Sequence, residues 1–519
     1  MPEEQDAVLK TVVKGAGIIF LGVLLAYVAN FFYKLVLSRY LGPSQYGVIS
    51  LAEMFMYVGM MIAVFGMHEG LVHFVAFFRG KKQLAEVKGT LFAALKITIP
   101  IGVAICVLII LSSNYIANTL FHTPELQPIL IIFAIIIPIH VILRVLGSFF
   151  LALKKPGYTE LAKTVFKNIS NLVLVIGVVL AGGTLLHISI VYLVSVIIAS
   201  LTALWIYKYK VSPKMFKKKT NPTYNYKEFL SFSLPLFFTG IFFQIMGWAD
   251  TFFLGVFKTS TDVGIYNVAF SLAAGMGMFL ASFGGIFYPL CSEMLAKKKG
   301  FLIGASFEIV IRWIFMITLP LFLLILFFPR DILKVLFGGE YISGWLALVI
   351  LSSAYFFNVI TGPGIHTLKS YKKTKFIFNL NLIIVIMNIV LNILFIPLYG
   401  ITGAAIATAV SIIIRELVIF LRVKVMIKFS YNINYYLKYI LSAGLSLAVV
   451  YFVLVAFFQP YSLIEVIIAF CLFLIGYVFL LLLFRSFGRE DFMILLTVEK
   501  KSGLNLRFVK KILKRFMKY

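Results

Sequence analysis

Charged side chains inside long apolar runs are the residues of this chain that could do chemistry. A charge near the centre of a bilayer is energetically unfavourable, so such a residue is a functional candidate by default. Arginine can bind a phosphate through two parallel hydrogen bonds, and lysine binds it as a point charge. The five candidates for substrate binding, four basic and one acidic, are Lys34, Arg39, Arg144, Arg312 and Glu53.

Several of the intramembrane charges also have structural explanations. Arg39 could anchor the end of its helix at the membrane interface. Glu308 and Arg312 are four residues apart and could form an ion pair on one helix. Lys163 and Lys167 follow a basic loop and could extend their ammonium groups back to the cytoplasmic interface. Both readings remain open at the level of sequence.

A second candidate site combines four oxygen-bearing side chains. Asp250 is a lone carboxylate in the segment GWADTFF, and Thr408 lies on a later predicted helix. Asn388 and Asn392 are four residues apart and therefore share a helix face. One carboxylate, two amide oxygens and one hydroxyl form a hard oxygen site for a monovalent cation such as Na⁺. Alternatively, these residues only form hydrogen bonds between helices.

The elements that position these residues are predicted membrane helices. The 519 residues are 62% apolar and 13% charged, which excludes a soluble globular protein, a disordered chain or a nucleic-acid binder. Apolar runs of about 20 residues, the length that spans a bilayer, recur along the chain. They predict an all-α polytopic membrane protein with about 14 transmembrane helices. The predicted spans are 14–38, 44–67, 86–111, 127–152, 158–181, 185–208, 229–254, 262–290, 303–328, 342–367, 375–397, 402–424, 436–458 and 463–485.

The distribution of basic residues predicts the orientation in the membrane. With the amino terminus in the cytoplasm, most of the 47 Lys and Arg residues fall in inner segments, as the positive-inside rule requires. We therefore expect a multi-pass protein of the cell membrane with both termini in the cytoplasm. The net charge of +27 then reflects loops that face anionic lipid rather than a nucleic acid.

The order of the spans predicts two related lobes. The segments LGPSQYGVISLA, from Leu41 to Ala52, and TSTDVGIYNVAFSLA, from Thr259 to Ala273, occupy equivalent places after helices 1 and 7. Repeats of this kind are typical of transporters, whose substrate path lies at the repeat interface. The predicted organisation is an N-lobe of six helices over 1–208, a basic linker over 209–228, a C-lobe of six helices over 229–428, two further helices over 429–485 and a basic amphipathic tail over 486–519.

These features resemble the polysaccharide-transport flippases of the Wzx type. The resemblance rests on the helix order, on SRYLGPSQYGVISLAEMF and on LKKPGYT, and it covers nearly the whole chain. This family belongs to the multidrug/oligosaccharidyl-lipid/polysaccharide (MOP) exporter superfamily, and the lipid II flippases are more distant members. The resemblance implies a V-shaped pair of lobes with alternating access. It also implies export of a lipid-linked oligosaccharide, headgroup first, through a cationic cavity.

The resemblance also bears on the two candidate sites. The first helix of the lipid II flippases carries cavity arginines, and Lys34 falls where such a cation is expected. Their sodium site has an Asp on helix 7, an i,i+4 pair on helix 11 and a Thr on helix 12, like Asp250, Asn388, Asn392 and Thr408. The family has a carboxylate where this chain has Asn392. The missing negative charge would weaken Na⁺ binding or leave Asp250 as a proton carrier.

The expected function is therefore translocation of a polyprenyl-phosphate oligosaccharide to the outer leaflet, coupled to Na⁺ or H⁺. We expect a monomer with no cofactor, whose partners are that glycolipid and membrane lipids, with no nucleic acid. The alternative is a multidrug or organic-cation antiporter of the same superfamily, although the spans hold more cations than acids. A polyprenyl-dependent glycosyltransferase would need paired external carboxylates, and the predicted outer loops have no DxD or ExD pair. We therefore expect no enzymatic activity.

Overall fold

The computed structural model describes residues 2–215, 221–429, 431–457 and 463–487. Every secondary-structure element within these ranges is a helix, which confirms the all-α membrane fold. The predicted amphipathic tail over 486–519 lies, after residue 487, outside the described residues.

The helices of the first half of the chain are connected by short turns. Their bounds are α1 Pro2–Val64, α2 Met67–Gly80, α3 Leu84–Asn114, α4 Leu126–Ala152, α5 Pro156–Leu180, α6 Leu185–Val211, α7 Tyr226–Phe257 and α8 Ser260–Gly275. A π-helical turn, Tyr115–Leu120, extends α3, and the helical turn Ser212–Met215 follows α6.

The second half continues with eight helices. Their bounds are α9 Gly277–Ala296, α10 Leu302–Phe327, α11 Pro329–Phe337, α12 Trp345–Thr361, α13 Gly364–Ser370, α14 Thr374–Ile427, α15 Ile433–Phe457 and α16 Leu463–Leu483. A 3₁₀ turn, Gly339–Gly344, precedes α12. The single helix predicted over 262–290 is interrupted at Met276, where α8 ends and α9 begins.

Ten helical segments of the described chain are long and apolar enough to cross a membrane, or 11 if the bent helix α7 is counted as one span. Two of them are too long for a single crossing, because 54 residues of α14 extend about 80 Å at 1.5 Å per residue. Glycine kinks divide both: Gly42 has φ 70° in α1, and Gly400 has φ 54° in α14. Pro43, which cannot donate a backbone hydrogen bond, begins the second half of α1. The total of 14 crossings stays a prediction.

The chain forms two compact units. Unit 1 comprises residues 1–268 and 381–404, and unit 2 comprises residues 269–380 and 405–519. In unit 1, α4 packs against α1, α3 and α6. Ile129, Phe133, Ile137 and Val141 recur every four residues along α4 and are fully or almost fully buried, so this helix forms the core of the unit.

Unit 2 is organised around α10, which packs against α12 and α15. Phe315 of α10, Phe356 of α12 and Tyr439 of α15 belong to one buried cluster, together with Tyr477 of α16. The hydroxyl of Tyr477 donates to the carbonyl oxygen of Met316 at 2.9 Å, which satisfies this polar group inside the apolar core.

Two glycines of unit 1 allow helices α1 and α8 to approach each other closely. A Cβ atom at Gly47 would lie 1.8 Å from the carbonyl oxygen of Ser260, and one at Gly264 would lie 2.0 Å from that of Pro43. The hydroxyl oxygens of Ser44 and Ser260 are 3.2 Å apart at the same crossing. The same number of residues separates Pro43 from Ser260 and Gly47 from Gly264, so the contact is reciprocal between the two copies of the sequence repeat.

The crossing predicts the effect of a single methyl group. We expect Gly47→Ala to lower the free energy of unfolding by about 1–3 kcal/mol, because the methyl group overlaps a backbone oxygen that has no room to move. Thermal unfolding of the purified protein in detergent measures the change. The control is Gly177→Ala, an exposed helical position with nothing within 4 Å of the added Cβ, where we expect equal or slightly higher stability. Equal stability of the two variants would contradict the proposed tightness of the crossing.

Candidate functional site

Unit 1 contains a polar cavity of about 530 Å³ beside the turn that joins α4 to α5. Leu151 and Pro156 lie at this turn, which the positive-inside rule predicts to face the cytoplasm. The ionisable side chains that line the cavity are His68, Glu69, His140, Arg144, Glu160 and Lys163. The cavity thus combines basic groups from α4 and α5 with carboxylates from α2 and α5.

Helix periodicity explains why α4 contributes its polar residues to this cavity. His140, Arg144 and Ser148 are spaced four residues apart and therefore share one face of the helix. Gly147, beside them, has no side chain, and its carbonyl oxygen accepts a hydrogen bond from Thr159 Oγ1 of α5 at 2.9 Å. This bond holds the two helices together at the mouth of the cavity.

A π-helical segment of α5, Leu161–Ile169, carries two more cations. Lys163 and Lys167 are four residues apart and therefore lie on nearly the same side of the helix, and π-helical segments are frequent at functional sites. Both ammonium groups repel Arg144 electrostatically and repel each other. Arg144 and Lys163 line the cavity, and Lys167 lies one turn further along α5.

Glu53 adds a carboxylate to this charged region. It is almost fully buried, and its carboxylate interacts electrostatically with Lys34 and Lys167. Lys34 precedes the Gly42 kink of α1 and Glu53 follows it, so the kink brings the two side chains towards each other. Lys167 also lies with its ammonium nitrogen 5.5 Å from the ring centre of Tyr192.

Four of the five predicted substrate-binding residues lie in unit 1, and three of them, Lys34, Glu53 and Arg144, belong to this charged region. Lys163 and Lys167, which the sequence allows to extend towards the cytoplasmic interface, also lie on this unit, and Lys167 interacts electrostatically with Glu53.

The other two predicted cations lie elsewhere. Arg39 is exposed near the end of the first half of α1. Arg312 belongs to unit 2, where it is buried and its guanidinium carbon lies 4.5 Å from the ring centre of Tyr435 on α15. A cation above an aromatic face is a stabilising contact in its own right. The contact with Tyr435 gives Arg312 a structural role inside unit 2.

The predicted cation site is built around a buried carboxylate of α7. Asp250 is 2% exposed, and Asn388 and Asn392 on α14 are completely buried. The Asn392 amide nitrogen donates to Asp250 Oδ1 at 2.8 Å and to Asn388 Oδ1 at 3.2 Å. The structure thus brings these three predicted residues together in unit 1, with the two asparagines on one helix face. Thr408 is buried in the part of α14 that belongs to unit 2.

Tyr266 completes this cluster. Its hydroxyl group donates a short hydrogen bond to Asp250 Oδ2, and the ring is almost completely buried. Sequence reasoning did not identify Tyr266. It follows Gly264 in the repeat segment that the sequence singles out, so the repeat was the one signal available. The contact itself depends on how α7 and α8 pack.

A lysine at the end of α7 helps to position the cluster. The ammonium group of Lys258 donates to the carbonyl oxygen of Pro397 at 3.1 Å, close to the Gly400 kink of α14. The bond connects the ends of the two helices that carry Asp250 and Asn392. It also satisfies a carbonyl oxygen near the end of the first half of α14, where helical hydrogen bonding is interrupted.

The donors and acceptors of the cluster define what it can bind. Asp250 accepts hydrogen bonds from Asn392 and Tyr266, whereas Asn392 Oδ1 is buried without a partner among the described residues. A half-turn of the Asn392 amide would direct this oxygen towards Asp250 and Asn388. Three oxygens would then surround one point, an arrangement that suits a small hard cation. Protonation of Asp250 would instead leave its carboxyl group neutral.

Comparison with known families supports the class that this fold defines, a multi-pass membrane protein of the MOP superfamily. Residues 12–295 match the family model described as polysaccharide biosynthesis protein, and residues 235–394 match the MatE model. Because the first match covers more than half of the chain, the chain belongs to the polysaccharide biosynthesis protein family. The resemblance inferred from the sequence is thus confirmed.

Individual relatives match over shorter segments. The chain is 27% identical over 231 residues to the probable low-salt glycan biosynthesis flippase Agl15 of Haloferax volcanii. The matched segment covers 43% of this chain and 47% of that protein. It is 30% identical over 234 residues to an uncharacterized membrane protein of Methanocaldococcus jannaschii, 43% of this chain and 45% of that protein. The chain thus spans about half the length of the curated relatives it matches.

The solved structure of the lipid II flippase MurJ in an inward closed conformation has the same fold. The TM-score is 0.70 and the sequence identity is 19%. The superposed region covers 89% of this chain and 99% of that chain. At this identity the likeness concerns the fold alone.

The Asp250 cluster predicts the effect of removing one hydroxyl group. We expect Tyr266→Phe to lower the free energy of unfolding by about 1–3 kcal/mol, because a buried carboxyl group loses the hydrogen bond that the Tyr266 hydroxyl donates. Tyr399→Phe, at a side chain that is 60% exposed, is the matched control and should leave stability unchanged. Thermal unfolding in detergent compares the variants. A Tyr266→Phe protein as stable as the control would show that the hydroxyl does not stabilise the cluster.

Proposed function

We propose that this protein is a flippase that moves a lipid-linked oligosaccharide from the inner to the outer leaflet of the cell membrane by alternating access. The glycan would be attached to a polyprenyl phosphate or diphosphate. The proposal is supported by the family membership, by the flippase relatives and by the charged cavity of unit 1. In it the protein works as a monomer and catalyses no covalent chemistry.

The observation that carries this proposal is the cluster of cations in and beside the cavity. Arg144, Lys163 and Lys167 repel one another, so the cluster gains most from a ligand with two or more negative charges. A diphosphate offers several acceptor oxygens, and Arg144 can bind two of them in parallel. The cavity volume of about 530 Å³ lies within the usual range for small-molecule sites, about 300–1,000 Å³. It would hold the diphosphate headgroup while the lipid stays in the membrane.

The acidic residues of the region do not favour the alternative, an organic-cation antiporter. The carboxylate of Glu53 interacts with two lysines, and that of Glu160 accepts a hydrogen bond from Thr164 at 2.7 Å. These two acids therefore already have partners among the described residues. An organic cation would also have to approach a group of cations.

The proposal predicts that transport depends on Arg144. In proteoliposomes with a fluorescent polyprenyl-diphosphate oligosaccharide, we expect Arg144→Ala to reduce the translocation rate by about tenfold or more, because a charge-assisted bidentate contact is lost. Arg144→Lys should retain part of the rate, because it keeps the charge and loses the bidentate geometry.

The control for this experiment is Arg422→Ala. Arg422 is exposed on α14 and lies 5.9 Å from the ring centre of Phe376, outside the cavity. This variant should transport at the wild-type rate. If wild-type protein ignores the glycolipid and instead moves organic cations, the flippase proposal is wrong and the antiporter takes its place.

We further propose that Asp250, Asn388 and Asn392, three of the four residues predicted for the cation site, bind the coupling ion, Na⁺ or H⁺. Support comes from the buried carboxylate and from the buried amide oxygen of Asn392 that has no partner in the described part of the chain. Asn392 is a neutral hydrogen-bond donor to Asp250, whereas a carboxylate at this position would add a second negative charge. With less negative charge the site attracts Na⁺ less strongly, so H⁺ is an equally suitable ion.

Thermal unfolding in NaCl against choline chloride distinguishes the two ions. Sodium at ten times its dissociation constant should stabilise the wild type by about 1.4 kcal/mol, and Asp250→Asn should abolish that gain. Glu340→Gln, at an exposed carboxylate, is the control. If Na⁺ has no effect, a pH gradient should drive transport in the wild type and not in Asp250→Asn. If neither gradient matters, the cluster serves only to hold helices together.

A further inference from the structure

An aromatic pair connects two helices of unit 1 close to the charged region. Tyr57 of α1 and Trp248 of α7 stack with ring centres 5.6 Å apart and an angle of 19° between their planes. The hydroxyl oxygen of Tyr57 lies 3.3 Å from that of Tyr192 on α6. Tyr57 and Trp248 are both partly exposed, so the pair keeps surface that a ligand can contact.

The carboxylate of Glu53 interacts electrostatically with Tyr57 of this pair, which distinguishes the pair from aromatic residues that face lipid. Glu53 precedes Tyr57 by one turn on the same face of α1. Lys167, which interacts with Glu53, lies above the ring of Tyr192 at 5.5 Å. Ionised groups in a membrane protein face the protein interior or a water-filled cavity. Tyr57 and Trp248 therefore border the polar interior of unit 1.

We propose that Tyr57, Trp248 and Glu53 form a subsite that binds the first sugar of the transported glycan. This inference rests on the proposed function, since it requires that a lipid-linked sugar enters unit 1. It adds a recognition element for the carbohydrate itself to the cations that would bind its diphosphate.

The chemistry of the three groups suits a pyranose ring. One face of such a ring carries C–H groups with slight positive charge, which pack against the negative face of an aromatic ring. The hydroxyl groups at its edge need acceptors and donors, which the Glu53 carboxylate and the Tyr57 hydroxyl provide. An aromatic surface beside a carboxylate and a phenol thus offers both kinds of contact at once.

The electrostatic interactions of Lys167 link the cavity to Glu53, which suits a headgroup that enters sugar first. Arg144 and Lys163 line the cavity near the predicted cytoplasmic turn. Lys167 interacts electrostatically with Arg144 and Lys163 and also with Glu53. A diphosphate bound to Arg144 and Lys163 would therefore place its attached sugar on the side of Lys167, Glu53 and the aromatic pair.

Transport of two lipids separates sugar binding from diphosphate binding. The probes are a fluorescent polyprenyl diphosphate that carries N-acetylglucosamine and the same lipid without a sugar. We expect Trp248→Ala to slow the sugar-bearing lipid by about tenfold and to leave the sugar-free lipid unchanged, because only the sugar contacts the ring. Trp248→Phe, which keeps an aromatic face, should restore most of the rate. Trp205→Ala, at a side chain that is 51% exposed on α6, is the matched control.

Two other outcomes overturn the inference. Equal loss for both lipids would show that Trp248 supports the fold rather than the sugar, and no loss for either would show that it binds nothing. Transport of neither lipid by the wild type would instead refute the proposed flippase activity.

Fluorescence gives a second readout that does not depend on transport. The chain has four tryptophans, and replacement of Trp205, Trp313 and Trp345 by phenylalanine leaves Trp248 as the only one. Soluble N-acetylglucosamine diphosphate should change its emission, and inorganic pyrophosphate at the same concentration should not. Identical responses to the two probes would contradict a sugar subsite.

Discussion

The electrostatic constraint on charges inside a membrane governs the organisation of unit 1. An ionised side chain is stable there only beside an opposite charge, a hydrogen-bond partner or water. Glu53 meets this condition between Lys34 and Lys167, and one negative charge then faces two positive ones. Arg144 and Lys163 add further positive charge. A phosphate-bearing headgroup could neutralise this excess of positive charge. The cation cluster is unfavourable without a ligand, and for the same reason it favours a negatively charged one.

Local departures from regular helix geometry create this arrangement. Gly42 adopts a left-handed conformation that is open to glycine, and the following half of α1 brings Glu53 back towards Lys34. The π-helical segment of α5 carries Lys163 and Lys167 four residues apart, on nearly the same side of the helix. Gly400 divides α14 in the same way, and Lys258 binds the carbonyl oxygen of Pro397 just before that kink. Each of these local features lies where a membrane helix borders a polar site.

The amino-acid sequence predicts the helices of this protein far better than their contacts. The predicted span 127–152 corresponds to Leu126–Ala152, because apolar runs of membrane length leave little freedom of assignment. The i,i+4 pair Asn388 and Asn392 is also confirmed as one face, because helical spacing alone determines it. In contrast, the hydrogen bond from Tyr266 to Asp250 and the stacking of Arg312 on Tyr435 depend on how separate helices pack. Such contacts are tertiary, so periodicity carries no information about them.

Helix α7 connects the two sites of the proposed mechanism. Trp248 and Asp250 are two residues apart, so they point to nearly opposite sides of the helix, one towards Tyr57 and the other towards Asn392. A rotation or shift of α7 that improves one contact must alter the other, because a helix moves as a rigid body over two residues. Binding of a sugar and binding of an ion would then bias the same element, and thermodynamic linkage makes such coupling reciprocal. The carboxylate and the indole therefore need no direct contact for the ion to influence the headgroup.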